Sequence, residues 1–181
     1  MLPCFSLNIL ARPVWLCGYR LLPMQIGHAA LLDALGSPFL HGGDVGREDL
    51  ITAVWVCSRP ATVAMNTRPR WWQRPIVSAR LLAEQSRAFS EYVETHMSAP
   101  RRAGAGGGMS PAVPWQYLMA HRVAGGDLSK IGEAWNAPLL SVTCWHCAED
   151  QRMGDTSMVN EDMELASVQL RLMRRQEAAN G

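Results

Sequence analysis

The chain has 181 residues and a formal net charge of +1, with 48% hydrophobic and 18% charged residues. This composition can build the core of one ordinary domain, and it excludes a generally basic nucleic-acid-binding protein or an acidic tail. Five scattered cysteines are typical of reduced thiols rather than of a secreted disulfide framework. No run approaches the ~20 apolar residues that cross a bilayer, and Arg12 interrupts the apolar amino terminus. We therefore expect a soluble, cytoplasmic protein.

The amino-terminal part contains the only plausible strand material. Residues 5–22 are short apolar runs broken by Pro13 and Gly18, which predicts an extended arm or a small hairpin. Residues 25–35 have a helical pattern that ends before a Gly-Ser-Pro stop. Residues 47–58 predict a second helix, with acidic residues in its first turn.

A long amphipathic helix is predicted over residues 76–96, where apolar residues recur at three- and four-residue steps. A glycine-rich stretch follows at 100–112, and closely spaced glycines hold regular structure only at an entropic cost. We interpret it as a linker between an amino-terminal body, 1–99, and a carboxy-terminal helical segment, 113–181.

The carboxy-terminal segment predicts several helices. Asp127 is a candidate cap for a short helix that ends near Ala134, and Asn136 for a second helix with Pro138 in its first turn. A last helix is predicted after Asn160, with an apolar stripe formed by Met163, Ala166, Leu170 and Met173. The predicted fold is mainly α: a small helical bundle with an extended or β-hairpin-like amino-terminal arm.

The Cys144-Trp-His-Cys147 stretch is the sharpest candidate for chemistry. A C-x-x-C pair can exchange thiols and disulfides when the attacking cysteine lies at a helix amino end. Cys144 lies about two turns past Asn136, and both cysteines fall on the apolar arc of their helix, so we favour structural cysteines. A zinc site would add His146, but no second ligand pair follows it. We expect no metal and no cofactor.

The remaining motifs favour structural roles. Residues 68–75 set arginines around Trp71 and Trp72, a mixture that can bind phosphate and stack on bases. Without a basic background we expect packing or protein contact instead. The glycine run lacks the Gly-Lys-Ser/Thr ending of a phosphate-binding loop, and no histidine has the spacing of a catalytic triad. We therefore predict that the protein is not an enzyme.

Several short stretches resemble bacteriophage tail assembly chaperones and their neighbours in tail gene clusters. They are Ala-Trp-Asn-Ala-Pro-Leu at 134–139, Cys-Trp-His at 144–146 and Glu-Asp at 149–150, with further likeness at 18–23, 27–32 and 36–39. The resemblance implies a small helical protein without catalytic residues, which keeps the tape-measure protein soluble until tail-tube subunits polymerise around it. The glycine-rich linker, the extra cysteines and the long amino-terminal body depart from this pattern.

The resemblance implies a phage or prophage tail assembly factor, active in virion morphogenesis through protein–protein interaction. Its partners would be the tape-measure protein and, as a further candidate, the tail tube; self-association stays open. We expect neither a small-molecule substrate nor a nucleic acid or a membrane as partner. The alternatives are a structural tail or neck component, a thiol-redox protein using Cys144 and Cys147, and a small nucleic-acid-binding protein.

Ten methionines and seven tryptophans supply the adaptable apolar side chains that grip a helical client. The predicted client surface is formed or flanked by side chains of the carboxy-terminal segment: Trp115, Trp135, Leu139, Trp145, Leu170 and Met173. The alternative is that these residues close a helical core.

Overall fold

The computed structural model describes residues 14–70, 73–97 and 113–154. In chain order the regular elements of this part are β1 (Val14–Leu16), β2 (Tyr19–Leu21), α1 (Ile26–Ala34), α2 (Pro38–His41), α3 (Arg47–Cys57), α4 (Ala61–Asn66), α5 (Leu82–Met97), α6 (Trp115–Val123), a 3-10 turn (Leu128–Lys130), α7 (Ile131–Trp135) and α8 (Leu139–Arg152). The mainly helical class and the hairpin near the amino terminus are both confirmed.

The hairpin is the two-stranded antiparallel sheet of β1 and β2. Its two turn residues, Cys17 and Gly18, have φ angles of 50° and 79°, and this left-handed pair matches the twist of the flanking strands. Trp15 pairs with Arg20 on the exposed side, while Leu16 and Leu21 are buried. The hairpin therefore covers one side of the helical core.

The core is built mainly from three helices. Most of α1 and most of α3 are buried, together with one stripe of α5 on which apolar residues recur at helical spacing. Tyr92 of α5 stacks at a tilt against Phe89 at 5.4 Å and donates its hydroxyl proton to the Leu22 carbonyl at 2.7 Å. The deepest residues include Met24, Ile26, Leu32, Leu50, Val54, Cys57 and Phe89.

The helices α1 and α3 confirm the predictions for 25–35 and 47–58, but the predicted start of the long helix is wrong. The helix α5 begins at Leu82, and the residues before it are not helical. Val77 is only 1% exposed, whereas Ile76 is 83% exposed. Burial alternates along residues 75–78, which is the pattern of an extended chain whose successive side chains point to opposite sides. This alternation places Val77 in the core.

The described residues fall into two compact units. The first contains 14–70, 73–97 and 113–143, and the second contains 144–154. Within the first unit α6 and α7 pack against α1. The predicted linker at 100–112 and the whole of the predicted last helix, with Leu170 and Met173, lie outside the described residues. The predicted domain boundaries stay a prediction. None of the described helices combines the length and the apolar character that crossing a bilayer requires.

Candidate partner-binding surface

The Trp-Asn-Ala-Pro-Leu stretch at 135–139 is a structural clamp on α4. Pro60 precedes α4 and offers no side-chain cap, so distant residues satisfy the first amides of the helix. The Ala61 N–H donates to Gln25 Oε1 at 2.7 Å, and the Thr62 N–H donates to Asn136 Oδ1 at 3.1 Å. The predicted role of Asn136 as a cap of its own following helix is therefore wrong, since α8 begins three residues later and Asn136 caps α4 instead.

Two backbone hydrogen bonds fix the same stretch to the segment that precedes α1. The Ile26 N–H donates to the Ala137 carbonyl at 3.1 Å, and the Leu139 N–H donates to the Met24 carbonyl at 2.7 Å. Leu139 is 2% exposed and belongs to the core. The clamp therefore sets the position of the neighbouring Trp135.

Gly27 allows α1, α4 and the end of α7 to approach closely. A Cβ atom at Gly27 would lie 2.7 Å from Ala61 Cβ, 3.0 Å from Met65 Cε and 3.1 Å from the Trp135 carbonyl oxygen. The side chain of Met65 and the backbone of Trp135 therefore both lie directly against this glycine.

Large apolar side chains are exposed on α6, and one of them contacts Trp135. Tyr117 contacts the Trp135 ring edge-on, with ring centroids 5.0 Å apart. Trp115 is 38% exposed, Tyr117 54% and Leu118 48%. Trp115 and Leu118 are three residues apart, which places them on one face of the helix. We call Met65, Trp115, Tyr117, Leu118 and Trp135 the aromatic surface.

The predicted client residues have different positions in the structure. Trp115 and the half-buried Trp135 belong to the aromatic surface. Leu139 is a core residue and not part of this surface. Trp145 is 61% exposed and lies in the second unit.

Sequence reasoning missed three members of the surface: Met65, Tyr117 and Leu118. The spacing from Trp115 to Leu118 on one helix face was a usable signal for Leu118. Met65 could not be found in this way, because it reaches the surface through the Gly27 contact with a helix distant in sequence.

Burial favours the thiol form of three cysteines. Burial raises the pKa of Cys57 to about 12, and it also raises the pKa values of Cys17 and Cys144. A raised pKa disfavours the thiolate that attacks disulfides or binds metal. In the part of the chain that the structure describes, no three His, Cys, Asp or Glu side chains are grouped so that they could hold a metal ion.

Two of the buried histidines, His28 and His96, form structural hydrogen bonds. The Gln25 N–H donates to His28 Nδ1 at 3.2 Å, so Nε2 bears the ring proton and donates to the Arg59 carbonyl at 2.7 Å. Burial lowers the pKa of His28 to about 4. His96 Nδ1 lies 2.8 Å from the Tyr92 carbonyl oxygen, and burial lowers the pKa of His96 as well. Both rings are therefore neutral at pH 7.

A scan against protein-family models, a search of curated proteins and a search of solved structures each found no match. The fold and the surface define the class of this chain as a mainly helical protein that exposes an aromatic surface. The likeness to tail assembly chaperones stays a prediction.

Proposed function

We propose that this protein is a non-enzymatic assembly factor that binds another polypeptide through the aromatic surface. The observation that supports the proposal is the exposure of Trp115, Tyr117 and Leu118 on one short helix. Exposed apolar side chains that lie together are a common mark of a protein-binding site. Tryptophan and tyrosine are also the residues that most often dominate the binding energy of an interface.

The proposed partner is an amphipathic helix. Trp115 and Leu118 form a ridge along α6, and the Tyr117–Trp135 pair lies beside it. A ridge of this kind packs into the groove between side chains of a second helix. In the finer proposal, which rests on the resemblance at 134–139, the partner is the tape-measure protein of a phage or prophage tail, a long helical chain.

The chemistry of the cysteines favours this proposal over a thiol-redox protein. The attacking cysteine of a redox pair needs a lowered pKa, whereas burial raises the pKa of Cys144, the first cysteine of the candidate pair.

Co-expression with the tape-measure protein of the same gene cluster tests the proposal. We expect the wild-type chain to increase the soluble fraction of the tape-measure protein and to co-purify with it. The Trp115→Ser/Leu118→Ser double variant should lose most of both effects, because it removes the ridge. Trp15→Ser is the matched control, since it removes an exposed tryptophan from the hairpin, outside the aromatic surface.

Equal activity of the double variant and the wild type would reject the aromatic surface as the binding site. No effect of the wild type on the tape-measure protein would reject the chaperone role. Mass spectra of purified particles separate the proposal from a structural tail or neck component, because an assembly factor is absent from mature virions.

A further inference from the structure

We propose that His28 is the acid-sensitive element of a latch, and that protonation of its ring releases α4 and residues 135–139 and so disassembles the aromatic surface. The inference concerns regulation of the surface described above, so its functional consequence rests on the proposed function. The latch itself is a property of the chain alone.

The latch begins at the two ring nitrogens of His28. Nδ1 accepts the Gln25 N–H, and Nε2–H donates to the Arg59 carbonyl. His28 therefore ties the segment before α1 to the turn before α4. A second proton on Nδ1 would face the Gln25 N–H, donor against donor, and would place a charge in a fully buried site.

A continuous series of hydrogen bonds leads from His28 to the aromatic surface. Gln25 receives the Ala61 N–H through its side chain at 2.7 Å. The next residue, Thr62, donates its N–H to Asn136 Oδ1 and accepts a hydrogen bond from Asn136 Nδ2 at 3.0 Å. Asn136 directly follows Trp135. Loss of the His28 contacts therefore loosens the amino end of α4, which loosens the support of Trp135.

No carboxylate of the described residues compensates a charge on His28. Among the residues that the structure describes, the one nearby group that acts electrostatically on His28 is His96 of α5, and a proton on His96 opposes protonation of His28. Cys57 and Tyr92 are buried and neutral, and α4 contributes no charged side chain. On the other helices packed against α1, and in the turn before α4, the titratable and charged side chains are exposed or half-exposed: His41, Arg47, Glu48, Asp49, Arg59, Tyr117, His121, Arg122 and Glu133. Asp33 on α1 itself pairs with His41.

The size of the effect follows from linkage between protonation and opening. The closed latch binds a proton on His28 with a pKa of about 4, while an exposed histidine has the ordinary value of 6.5. Lowering the pH from 7.5 to 5 therefore multiplies the population of the open latch by about 30-fold.

Hydrogen exchange of the free protein, corrected for the intrinsic pH dependence of amide exchange, tests the latch. The reporter amides are Ala61, Thr62, Ile26 and Leu139, whose hydrogen bonds form it. We expect their protection to fall by about 30-fold between pH 7.5 and pH 5. We also expect this exchange to be insensitive to low urea concentrations, because a local opening exposes little surface.

Two variants assign the effect to His28. His28→Gln keeps a neutral acceptor and donor without a titratable ring, and its reporter amides should lose the pH dependence. His121→Gln, which replaces an exposed histidine on α6, should retain it. Should His28→Gln fail to fold, titration of the His28 ring by NMR in the wild type replaces it, and a midpoint near 6.5 would contradict the closed geometry.

The proposal is overturned if the protection of the reporter amides against hydrogen exchange does not change between pH 7.5 and pH 5. It is also overturned if they exchange only through urea-sensitive global unfolding. Because these measurements use the free protein, they succeed or fail independently of partner binding. With the partner present, the latch predicts weaker binding at pH 5 for the wild type than for His28→Gln.

Discussion

At the scale of single residues, the positions that hold the surface together are small or neutral rather than reactive. Gly27 permits the contact of α1 with Ala61, Met65 and Trp135. Its neighbour His28 is fully buried in the uncharged form. From the sequence, a glycine and a histidine at the start of a helix predict neither property, because both depend on residues more than thirty positions away.

Gly27→Ala should lower the free energy of unfolding by about 1–3 kcal/mol, because the added methyl group overpacks a closed contact. The matched control is Gly132→Ala on α7, where a Cβ atom meets nothing within 4 Å. That control should raise the free energy of unfolding by up to about 1 kcal/mol, since alanine favours the helix. Urea denaturation measures both, and equal effects of the two substitutions would contradict the close approach at Gly27.

At the scale of elements, the sequence predicts a helix well where its stabilisation is local. The patterns of α1 and α3 have periodic apolar residues and clear stop signals, and both helices form at the expected places. The helix α4 is six residues long and receives its capping groups from Gln25 and Asn136. Stabilisation from such distant residues leaves no local pattern, so the sequence predicts neither α4 nor the cap that Asn136 provides for it.

Asn136→Ala should destabilise the first unit by about 1–2 kcal/mol, because the Thr62 amide loses its acceptor. The control is Asn66→Ala at the other end of α4, where the side chain is exposed and bonds to the Thr62 carbonyl. We expect that control to change the free energy of unfolding by less than about 0.5 kcal/mol. If urea denaturation showed a similar loss in the free energy of unfolding for both variants, the capping role of Asn136 would be contradicted.

At the scale of the whole molecule, the fold class follows from composition and periodicity, but the surface does not. Trp115 belongs to the aromatic surface whereas Leu139 belongs to the core, although both were predicted for the same role. The sequence supplies the apolar side chains, and only their packing decides which remain exposed. Burial of His28 and His96 likewise gives the whole molecule a pH dependence.

Stability should fall as the pH drops from about 6.5 to 4. In the unfolded chain both histidines become protonated in this range. In the folded chain their protonation is disfavoured, because burial lowers their pKa values. The free energy of unfolding is therefore highest above pH 6.5. His28 alone should lower it by about 3 kcal/mol by pH 4. Urea denaturation at several pH values measures the loss, and His28→Gln should reduce it. An equally steep loss in that variant would mean that other groups cause it.

The central claim is that the aromatic surface contacts a helical partner, and site-specific photo-crosslinking tests it most directly. A benzophenone amino acid is placed at position 118 or, as a control, at position 15 of the hairpin, and the chain is co-expressed with the tape-measure protein. The account predicts a crosslinked complex from position 118 and little or none from position 15. Absence of a crosslink from position 118, or equal crosslinking from both positions, would contradict it.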